Sequence, residues 1–484
     1  MTIKRKMMKG LKRQSIIVVL ISCSLLIKAQ TQIGSAIIGP VSGDRYGHQV
    51  KMSLNGNIVA VLGSDNASDG SVRVYENNGS NWVLYGTDSE GDNFGSISAS
   101  SISLSYDGNT IAIGGTGLAR VYSYESGIWT QIGMDIENSS SNSSFGSKIS
   151  ISSDGTVVAV STPLYYPEAF ASQIPPPINN GLVQIFKYES GNWNQVGNDI
   201  VGEDPMESSG RKISLSADGN IIAIASIESL KVYENISNVW TILGNEILES
   251  DSNPARISLS DDGTTIAIGD PDYSNEISTR GRTKIYKFEV DEWVQIGNDI
   301  LGEDSFSKSG RSVSISPNGQ VLVIGAVGEV SSVTSPGRVS VFKFELDEWI
   351  QIGIDVSGDE AGDHFGDSVS LSADASTLAI GAQYGDVNGF ESGFVRVYDL
   401  SSLLSIDDIV QPKIRLFPNP AREQFTIQLY EGMELKKVNI YNSLGELVNS
   451  ISKNVISTSK LSTGIHYVEI YTTQGKIIEK LVIK

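Results

Sequence analysis

The residues best suited to chemistry in this sequence are carboxylates and tyrosines that lie between runs of alternating apolar residues. Asp44, Asp92 and Asp363 belong to the acidic segments "GDRYG", "GDNFG" and "GDHFG", and Tyr165 and Tyr166 stand beside a proline-rich stretch. Carboxylates could attract cations or basic partners, and tyrosine rings could stack on a sugar or a peptide. The same residues could instead cap turns and pack a loop onto its scaffold, so both interpretations stay open.

Recognisable catalytic motifs are absent from the sequence. The three histidines share no motif, and there is no G-x-S-x-G, H-E-x-x-H or P-loop pattern. Acidic side chains could still converge in pairs at the mouth of a fold, as they do in some glycosidases. The sequence therefore favours a binding protein and leaves enzymatic activity open.

Seven copies of a two-strand hairpin must position these residues. Clear copies such as "ISLSYDGNTIAIG" (102–114) and "ISLSDDGTTIAIG" (257–269) alternate apolar and polar residues around an Asp-Gly turn, and weaker copies lie at 50–63 and 369–381. Each hairpin precedes a variable loop and a third strand that ends in Tyr or Phe. In six copies a fourth strand follows, which opens with one of the six tryptophans. Four short strands at this spacing are typical of a β-propeller blade.

The sequence thus predicts an all-β protein with a seven-bladed β-propeller over residues 30–402. The seventh copy ends without a tryptophan-led strand, and "TQIGSAI" (31–37) matches the strand that is missing. We therefore expect this N-terminal strand to pair with the last blade and close the ring, with Gln30 in the tryptophan position. Ala375 replaces the turn glycine of the last copy, so that turn is expected to be strained or differently shaped.

The loops between second and third strands differ most in length, and the longest covers residues 161–181. Long, uneven loops on a rigid scaffold are where binding usually resides. We call the side that carries them the long-loop face, and an unidentified protein or glycan is the ligand expected there.

The repeats resemble the FG-GAP family, which is known from the propeller of integrin α subunits. Four aromatic-glycine pairs carry this resemblance, each followed by a strand: Tyr46-Gly47, Phe94-Gly95, Phe145-Gly146 and Phe365-Gly366. The calcium loops of that family usually contain a D-x-D-x-D-G pattern, which is missing here. A hairpin turn with one carboxylate offers too few oxygens for calcium. No cofactor and no metal site are therefore expected.

Residues 1–29 have the layout of a secretory signal peptide, with cleavage expected after Ala29. Six basic residues precede the apolar run "SIIVVLISCSLLI", which is too short for a membrane span, so no transmembrane segment is expected after its removal. "LISC" also resembles a lipobox, so lipidation of Cys23 stays open as an alternative. Cys23 is the only cysteine, and a chain cleaved after Ala29 has no thiol.

The charge of the repeat region argues against nucleic-acid binding. The first 30 residues hold seven of the 36 basic residues and none of the 56 acidic ones, and residues 413–484 hold ten basic and six acidic residues. The remaining 19 basic and 50 acidic residues lie in 31–412. Nucleic-acid binding needs clustered lysine and arginine, which this region does not show in its sequence.

Residues 413–484 are expected to form a second domain, after a linker at 403–412. Short alternating runs predict six or seven strands and hence a small Ig-like β-sandwich. The segment resembles the C-terminal sorting domain of the type IX secretion system of Bacteroidetes through "FPNP" (417–420), "VNIYNSLGELV" (438–448), "LSTGIHYVEI" (461–470) and "KLVIK". The motif residues in these stretches are Pro418, Asn419, Pro420, Gly445 and Gly464. A sandwich domain that binds a ligand is the alternative.

The resemblance of residues 413–484 to the sorting domain implies a cellular destination for the protein. Residues 413–484 would be recognised by the type IX machinery, and the protein would be released or held at the outer membrane of a Gram-negative cell. Taken together, the sequence predicts a secreted or cell-surface propeller that binds or adheres to a protein or glycan. The alternatives are a secreted polysaccharide hydrolase and a structural surface component.

Overall fold

The computed structural model describes residues 30–484 except 65–70, 89–93, 95–96, 139–143, 166–178, 205–206, 228, 249–255, 275–278, 329–334, 405–414, 430–433, 444 and 473–474. The chain divides into two compact units, Met1–Leu404 and Ser405–Lys484. The expected leader, with Cys23 and the cleavage site after Ala29, lies outside the described residues.

The first unit consists of seven sheets built on one plan, with consecutive strands of each sheet paired antiparallel. Two short strands come first, β1 (Thr31–Gln32) and β2 (Ile37–Ile38). The first sheet contains β3 (Gln49–Met52), β4 (Ile58–Leu62), β5 (Val72–Asn77) and β6 (Trp82–Leu84). Strand β7 (Thr87–Asp88) joins the second sheet, which contains β8 (Ala99–Leu104), β9 (Thr110–Gly115), β10 (Leu118–Glu125), β11 (Ile128–Gln131) and β12 (Ile136–Glu137).

The next two sheets repeat this order of strands. The third sheet contains β13 (Lys148–Ile151), β14 (Val157–Thr162), β15 (Leu182–Glu189), β16 (Asn192–Gln195) and β17 (Ile200–Val201). The fourth contains β18 (Lys212–Leu215), β19 (Ile221–Ala225), β20 (Ser229–Ile236), β21 (Val239–Ile242) and β22 (Ile247–Leu248).

The last three sheets complete the unit. The fifth contains β23 (Arg256–Leu259), β24 (Thr265–Asp270), β25 (Arg282–Glu289), β26 (Glu292–Gln295) and β27 (Ile300–Leu301). The sixth contains β28 (Ser309–Ile315), β29 (Val321–Ala326), β30 (Arg338–Glu345), β31 (Glu348–Gln351) and β32 (Val356–Ser357). The seventh contains β33 (Ser368–Leu371), β34 (Thr377–Ala382) and β35 (Phe394–Asp399), followed by the short helix α1 (Ser401–Leu404).

The innermost strand of each sheet lies beside the innermost strand of the next. In order around the axis these strands are β3, β8, β13, β18, β23, β28 and β33, and β33 packs against β3 again. The sheets therefore close into a ring, and apolar side chains fill the space between neighbouring sheets. This is the β-propeller that the repeat pattern predicts.

The N-terminal strand closes the seventh sheet. Thr31 pairs with Asp399 and Ile37 with Val395, so β1 and β2 take the outer position that a fourth strand holds elsewhere. Gln30 donates a side-chain hydrogen bond of 2.6 Å to the carbonyl oxygen of Ile354 in the sixth sheet. The closure is thus as the sequence predicts.

The six tryptophans connect neighbouring sheets. Each indole nitrogen donates a hydrogen bond to a backbone carbonyl at the outer strand of the preceding sheet, as Trp129 does to Tyr85 at 2.7 Å. Trp129 is buried among Phe94, Tyr122 and other side chains of the core between the first and second sheets. One such ring per sheet supplies apolar area and fixes the spacing of the sheets.

The hairpin turns between first and second strands are held by serine and aspartate. In the third sheet the Ser152 hydroxyl donates to Asp154 at 2.6 Å and accepts from the Val157 amide at 2.9 Å. The Gly155 amide also donates to the Ser152 carbonyl oxygen at 3.0 Å. In the last copy the Ala375 amide donates to the Ser372 carbonyl oxygen at the same distance, with φ of Ala375 at 57°. The turn is therefore not differently shaped, and Ala375 bears the left-handed backbone conformation itself.

The second unit contains two sheets around one core. One sheet contains β36 (Arg415–Phe417), β37 (Gln424–Gln428) and β40 (Val455–Ser457); the other contains β38 (Leu435–Tyr441), β39 (Leu447–Ile451), β41 (Gly464–Thr472) and β42 (Gly475–Ile483). Phe425, Ile427, Val438 and Ile470 are among the buried residues between them. The arrangement has the two layers that a sandwich requires.

Candidate ligand-binding site

The two faces of the ring differ sharply in their loops. On one face the turn between first and second strands has five residues in every sheet, for example 53–57 and 260–264. On the long-loop face the connections between second and third strands range from two residues (116–117) to nineteen (163–181). Connections between sheets also reach the long-loop face, because each leads into the start of an innermost strand.

Acidic side chains on this face are largely paired with bases at the start of third strands. Lys231 lies 3.2 Å from Glu203 and 3.6 Å from Glu207. Arg338 contacts Asp304 at 2.9 Å, and Arg396 contacts Asp359. These ion pairs tie the connection between two sheets to a neighbouring strand, so much of the acidic charge is neutralised locally.

Asp44 and Asp363 hold the turns in which they lie. Asp44 is 6% exposed, and its Oδ2 accepts a hydrogen bond from the Val41 amide at 3.1 Å. Asp363 is 7% exposed and accepts in the same way from the Glu360 amide at 3.3 Å. Burial, opposed by that hydrogen bond but reinforced by nearby carboxylates, raises the pKa of Asp363. These contacts fit the turn-capping interpretation of both residues.

The remaining residues selected from the sequence are only partly described. Tyr165 is half-buried, and its backbone is fixed by hydrogen bonds with Thr162 at 3.1 Å and Gly181 at 3.0 Å. Asp92 and Tyr166 lie outside the described residues. Their part in a binding site therefore stays a prediction.

A cluster of basic residues at the axis was not predicted. Lys148, Lys212 and Arg256 open the innermost strands of three successive sheets, and Lys51 is the third residue of β3. All four line a cavity of about 150 Å³ that also touches His48 and Asp367. We call this cavity the axial pocket. Because innermost strands begin on the long-loop face, the pocket lies toward that face.

Burial and mutual repulsion disturb the protonation of these cations. Burial, followed by repulsion from Arg256 and Lys148, lowers the pKa of Lys212 to about 5. The pKa of Lys148 falls to about 8 through burial and Arg256, and burial lowers that of Lys51. No ion-pair partner of Lys51, Lys148 or Lys212 is found in the part of the chain that the structure describes. The described lining thus brings together three lysines for which the described residues provide no ion pair.

Asp367 is the carboxylate beside this cluster, and it is already engaged. It accepts from Arg311 Nε at 2.8 Å and from the Gln383 amide at 2.7 Å. Gln383 Oε1 lies 3.0 Å from His48 Nδ1. Burial lowers the pKa of His48 despite its contact with Gln383. The hydrogen bonds of Asp367 thus go to Arg311 and Gln383, while its charge also acts on Arg256 in the pocket.

The repeats contain a signal for the pocket that the sequence analysis missed. When the innermost strands are superimposed by register, the position before the first core residue reads Gln49, Ser101, Lys148, Lys212, Arg256, Ser312 and Ser368. Three adjacent copies thus carry a cation at one position. Since the ring places equivalent positions side by side, this run of bases indicates a shared site.

An apolar patch is exposed on the long-loop face of the seventh sheet. Val41, Val387 and Phe390 are 58%, 54% and 69% exposed. The segments that carry them are joined, since the Ser42 hydroxyl and the Gly43 amide both donate to the Phe390 carbonyl at 2.9 Å. We call these three residues the Phe390 patch. Its backbone is held in place, so the exposed rings and methyl groups are available for contact.

The motif residues of the second unit have structural contacts. Asn419 donates to the Lys480 carbonyl at 2.6 Å and accepts from the Val482 amide at 2.9 Å, which ties it to the last strand. Pro418 and Pro420 flank it, each after a cis peptide bond. Gly445 and Gly464 have φ of 81° and 130°, which favour glycine. These contacts suit a strand entry better than a binding site.

No group of three or more His, Cys, Asp or Glu side chains suited to a metal ion occurs within the described residues. In the described ranges no helix is long and apolar enough to cross a bilayer.

Family models match a part of each unit. The model of the secretion system C-terminal sorting domain matches residues 415–484, and that of the FG-GAP repeat matches residues 356–398. No curated protein matches the chain.

Solved structures resemble the chain in fold alone. The chain is similar to Kuenenia stuttgartiensis hydrazine synthase at 14% identity and a TM-score of 0.48, over 76% of this chain and 97% of that one. The Cps50 (Swd1) β-propeller domain of Myceliophteria thermophila has 10% identity and a TM-score of 0.49, over 77% and 98%. A chain of the mitotic checkpoint complex has 12% identity and a TM-score of 0.50, over 81% and 98%.

The two family matches and the sheet topology agree with each other. The C-terminal match implies export by the type IX secretion system and hence contact with its machinery. The protein is therefore a β-propeller with an FG-GAP repeat and a C-terminal sorting domain, secreted by or carried on the surface of a cell of the Bacteroidetes.

Proposed function

We propose that the exported propeller is a binding protein whose long-loop face contacts a protein or glycan outside the cell. The difference between the two faces carries this proposal. One face has uniform five-residue turns, whereas the other has connections of two to nineteen residues and the Phe390 patch. Exposed apolar side chains on fixed loops are a common feature of interaction surfaces.

Binding suits the described side chains better than hydrolysis does. Glycoside hydrolysis usually requires two carboxylates on opposite sides of the scissile bond. The axial pocket lies toward the long-loop face, and Asp367 is its single carboxylate among the described lining residues. Because Asp367 is bound to Arg311 and Gln383, it is poorly placed to act as an acid or a nucleophile. We therefore rank the polysaccharide hydrolase and the structural component below a binding protein.

A glycan array probed with residues 30–484 tests the proposal directly. Phe390→Ser and Tyr165→Ala are expected to reduce binding at least tenfold, because they remove aromatic contact area. Leu346→Ser is the matched control, since Leu346 is 93% exposed in a tight turn on the opposite face.

The array result also separates the two ligand classes. Binding to particular glycans that Phe390→Ser weakens and Leu346→Ser does not would support a lectin-like adhesin. A silent array followed by cross-linking of residues near Phe390 to one outer-membrane protein would favour a protein ligand. Equal losses in Phe390→Ser and Leu346→Ser, or contacts confined to the tight-turn face, would refute the proposal.

A further inference from the structure

The axial pocket concentrates cations in a region that is acidic overall. Residues 31–412 hold 19 basic and 50 acidic residues, yet Lys51, Lys148, Lys212 and Arg256 line one cavity. Like charges repel strongly where protein replaces water, so a buried cluster of this kind is costly without a counter-charge. Its presence calls for an explanation beyond the packing of the ring.

Negative charge is scarce among the described residues that line the pocket. Asp367 is the single acidic residue in the described lining, and Arg311 shares its charge at 2.8 Å. The low pKa of Lys212 agrees with this excess of basic side chains, because burial and then repulsion from Arg256 and Lys148 lower it. The lining thus keeps an excess of positive charge while Asp367 remains bound.

Lys51 is the clearest departure from the structural pattern. In the other six sheets the equivalent position is serine, whose hydroxyl accepts a hydrogen bond from the next innermost strand, as Ser214 does from the Leu259 amide at 3.1 Å. The six hydroxyls form a belt around the axis: Ser103, Ser150, Ser214, Ser258, Ser314 and Ser370. Lys51 interrupts this belt and lines the pocket instead. A structural contact has been replaced by a charge.

The cations also occupy two depths. Lys148, Lys212 and Arg256 share one register position, and Lys51 lies two residues farther along its strand, or roughly 7 Å at about 3.3 Å per residue. A single water needs roughly 10–15 Å³, so a pocket of about 150 Å³ holds a larger group. The geometry suits an anion that is surrounded by cations from several sheets.

We propose that the axial pocket binds a compact oxyanion: a phosphate, sulfate or carboxylate group, either free or at the end of a larger ligand. Ammonium and guanidinium groups are the usual protein partners of such groups. A bound anion would favour the protonated form of Lys212, and a doubly charged anion would do so more strongly than a singly charged one. The site is independent of the Phe390 patch, so it stands whether or not that patch binds a protein or glycan.

Calorimetric titration of residues 30–484 with sodium phosphate, sodium sulfate and sodium glucuronate tests the site. Each titration is carried out at constant ionic strength in chloride, which separates site binding from general screening. Phosphate and sulfate are expected to bind saturably with one site, and glucuronate more weakly. Tighter binding of glucuronate would still support the site and would identify an acidic sugar as its ligand class.

Two variants connect the binding to the pocket. Lys212→Gln and Lys51→Ser are each expected to weaken binding at least tenfold. Lys51→Ser restores the residue found in the other six sheets, so it should fold normally. Lys187→Gln, which changes a 47% exposed side chain paired with Glu189 at the outer edge, is the matched control. Absence of saturable binding for all three anions, or affinities unchanged in both axial variants, would overturn the proposal.

Discussion

Replacement of Lys212 by glutamine should make the ligand-free propeller more stable. The first sheet already carries Gln49 at the equivalent register position, so the substitution places a side chain that the ring accommodates elsewhere. The substitution removes an amine whose protonated form is destabilised in the pocket. The expected gain is therefore electrostatic, and its size can be worked out from the position of Lys212.

Burial, then repulsion from Arg256 and Lys148, lowers the pKa of Lys212 from its ordinary 10.5 to about 5. At pH 7 the folded protein holds this amine neutral, whereas the unfolded chain binds a proton. Each pH unit between 7 and 10.5 favours the unfolded state by about 1.4 kcal/mol, which amounts to about 5 kcal/mol at pH 7. Lys212 is only half-buried by its exposed area, so solvent screens part of this charge and we expect about 2–3 kcal/mol.

The pH dependence gives a second, sharper expectation. Between pH 5 and 10.5 the unfolded state binds more protons than the folded state, so this residue makes the native protein more stable as the pH rises. Lys212→Gln lacks that dependence. The advantage of the variant should therefore decrease from pH 7 to pH 9 and disappear near pH 10.5.

Denaturant unfolding followed by tryptophan fluorescence measures both effects, because the six tryptophans lie between sheets. The buffers contain chloride but no phosphate or sulfate, which would occupy the proposed site. Lys187→Gln should change the free energy of unfolding by less than about 0.5 kcal/mol. A loss of stability in Lys212→Gln, or an equal gain at pH 7 and pH 9, would refute the electrostatic reasoning.

Three further substitutions test other parts of the structure. Ser214→Ala leaves the buried Leu259 amide without its acceptor and should cost about 1–3 kcal/mol in denaturant unfolding; a neutral result would show that the serine belt does not hold the ring. Trp129→Ala removes a ring that is 1% exposed and should cost about 3–5 kcal/mol, whereas the same change at the half-buried Trp193 should cost less, and the reverse order would contradict the packing described. Asn419→Ala removes two hydrogen bonds to the last strand, so fractionation of the native host should show less protein outside the cell, and unchanged export would exclude an essential role for those contacts.

The ring architecture could be predicted because its determinants are local and repeated. Alternation of apolar residues indicates strands, the Asp-Gly pairs mark turns, and the tryptophan found in six of the copies marks the start of an outer strand. The seven sheets and the closing strand of the structure follow the same pattern. Ala375 shows the limit of such reasoning, since the hydrogen bonds of its turn outweigh the preference for glycine.

The axial pocket could not be predicted with the same ease, because its residues are far apart in the sequence. Lys148, Lys212 and Arg256 each begin a strand in a different copy, where an isolated base has no special meaning. Only register and ring closure bring them to one cavity. Asp44 and Asp363, by contrast, are conspicuous in the sequence as candidate binding residues. In the structure, backbone amides of their own turns donate hydrogen bonds to their carboxylates.

The pairing of Thr31 with Asp399 also determines when the ring can be completed during folding. Strand β1 leaves the ribosome first, but its partner β35 is the last propeller strand to be made, so the two cannot pair until nearly the whole unit is available. Loop-closure entropy grows only with the logarithm of chain length, yet contacts between distant residues slow folding. Until then the seventh sheet lacks its outer strand and presents an open edge. The ring of an exported chain can therefore be completed only after the last strand of the propeller is available.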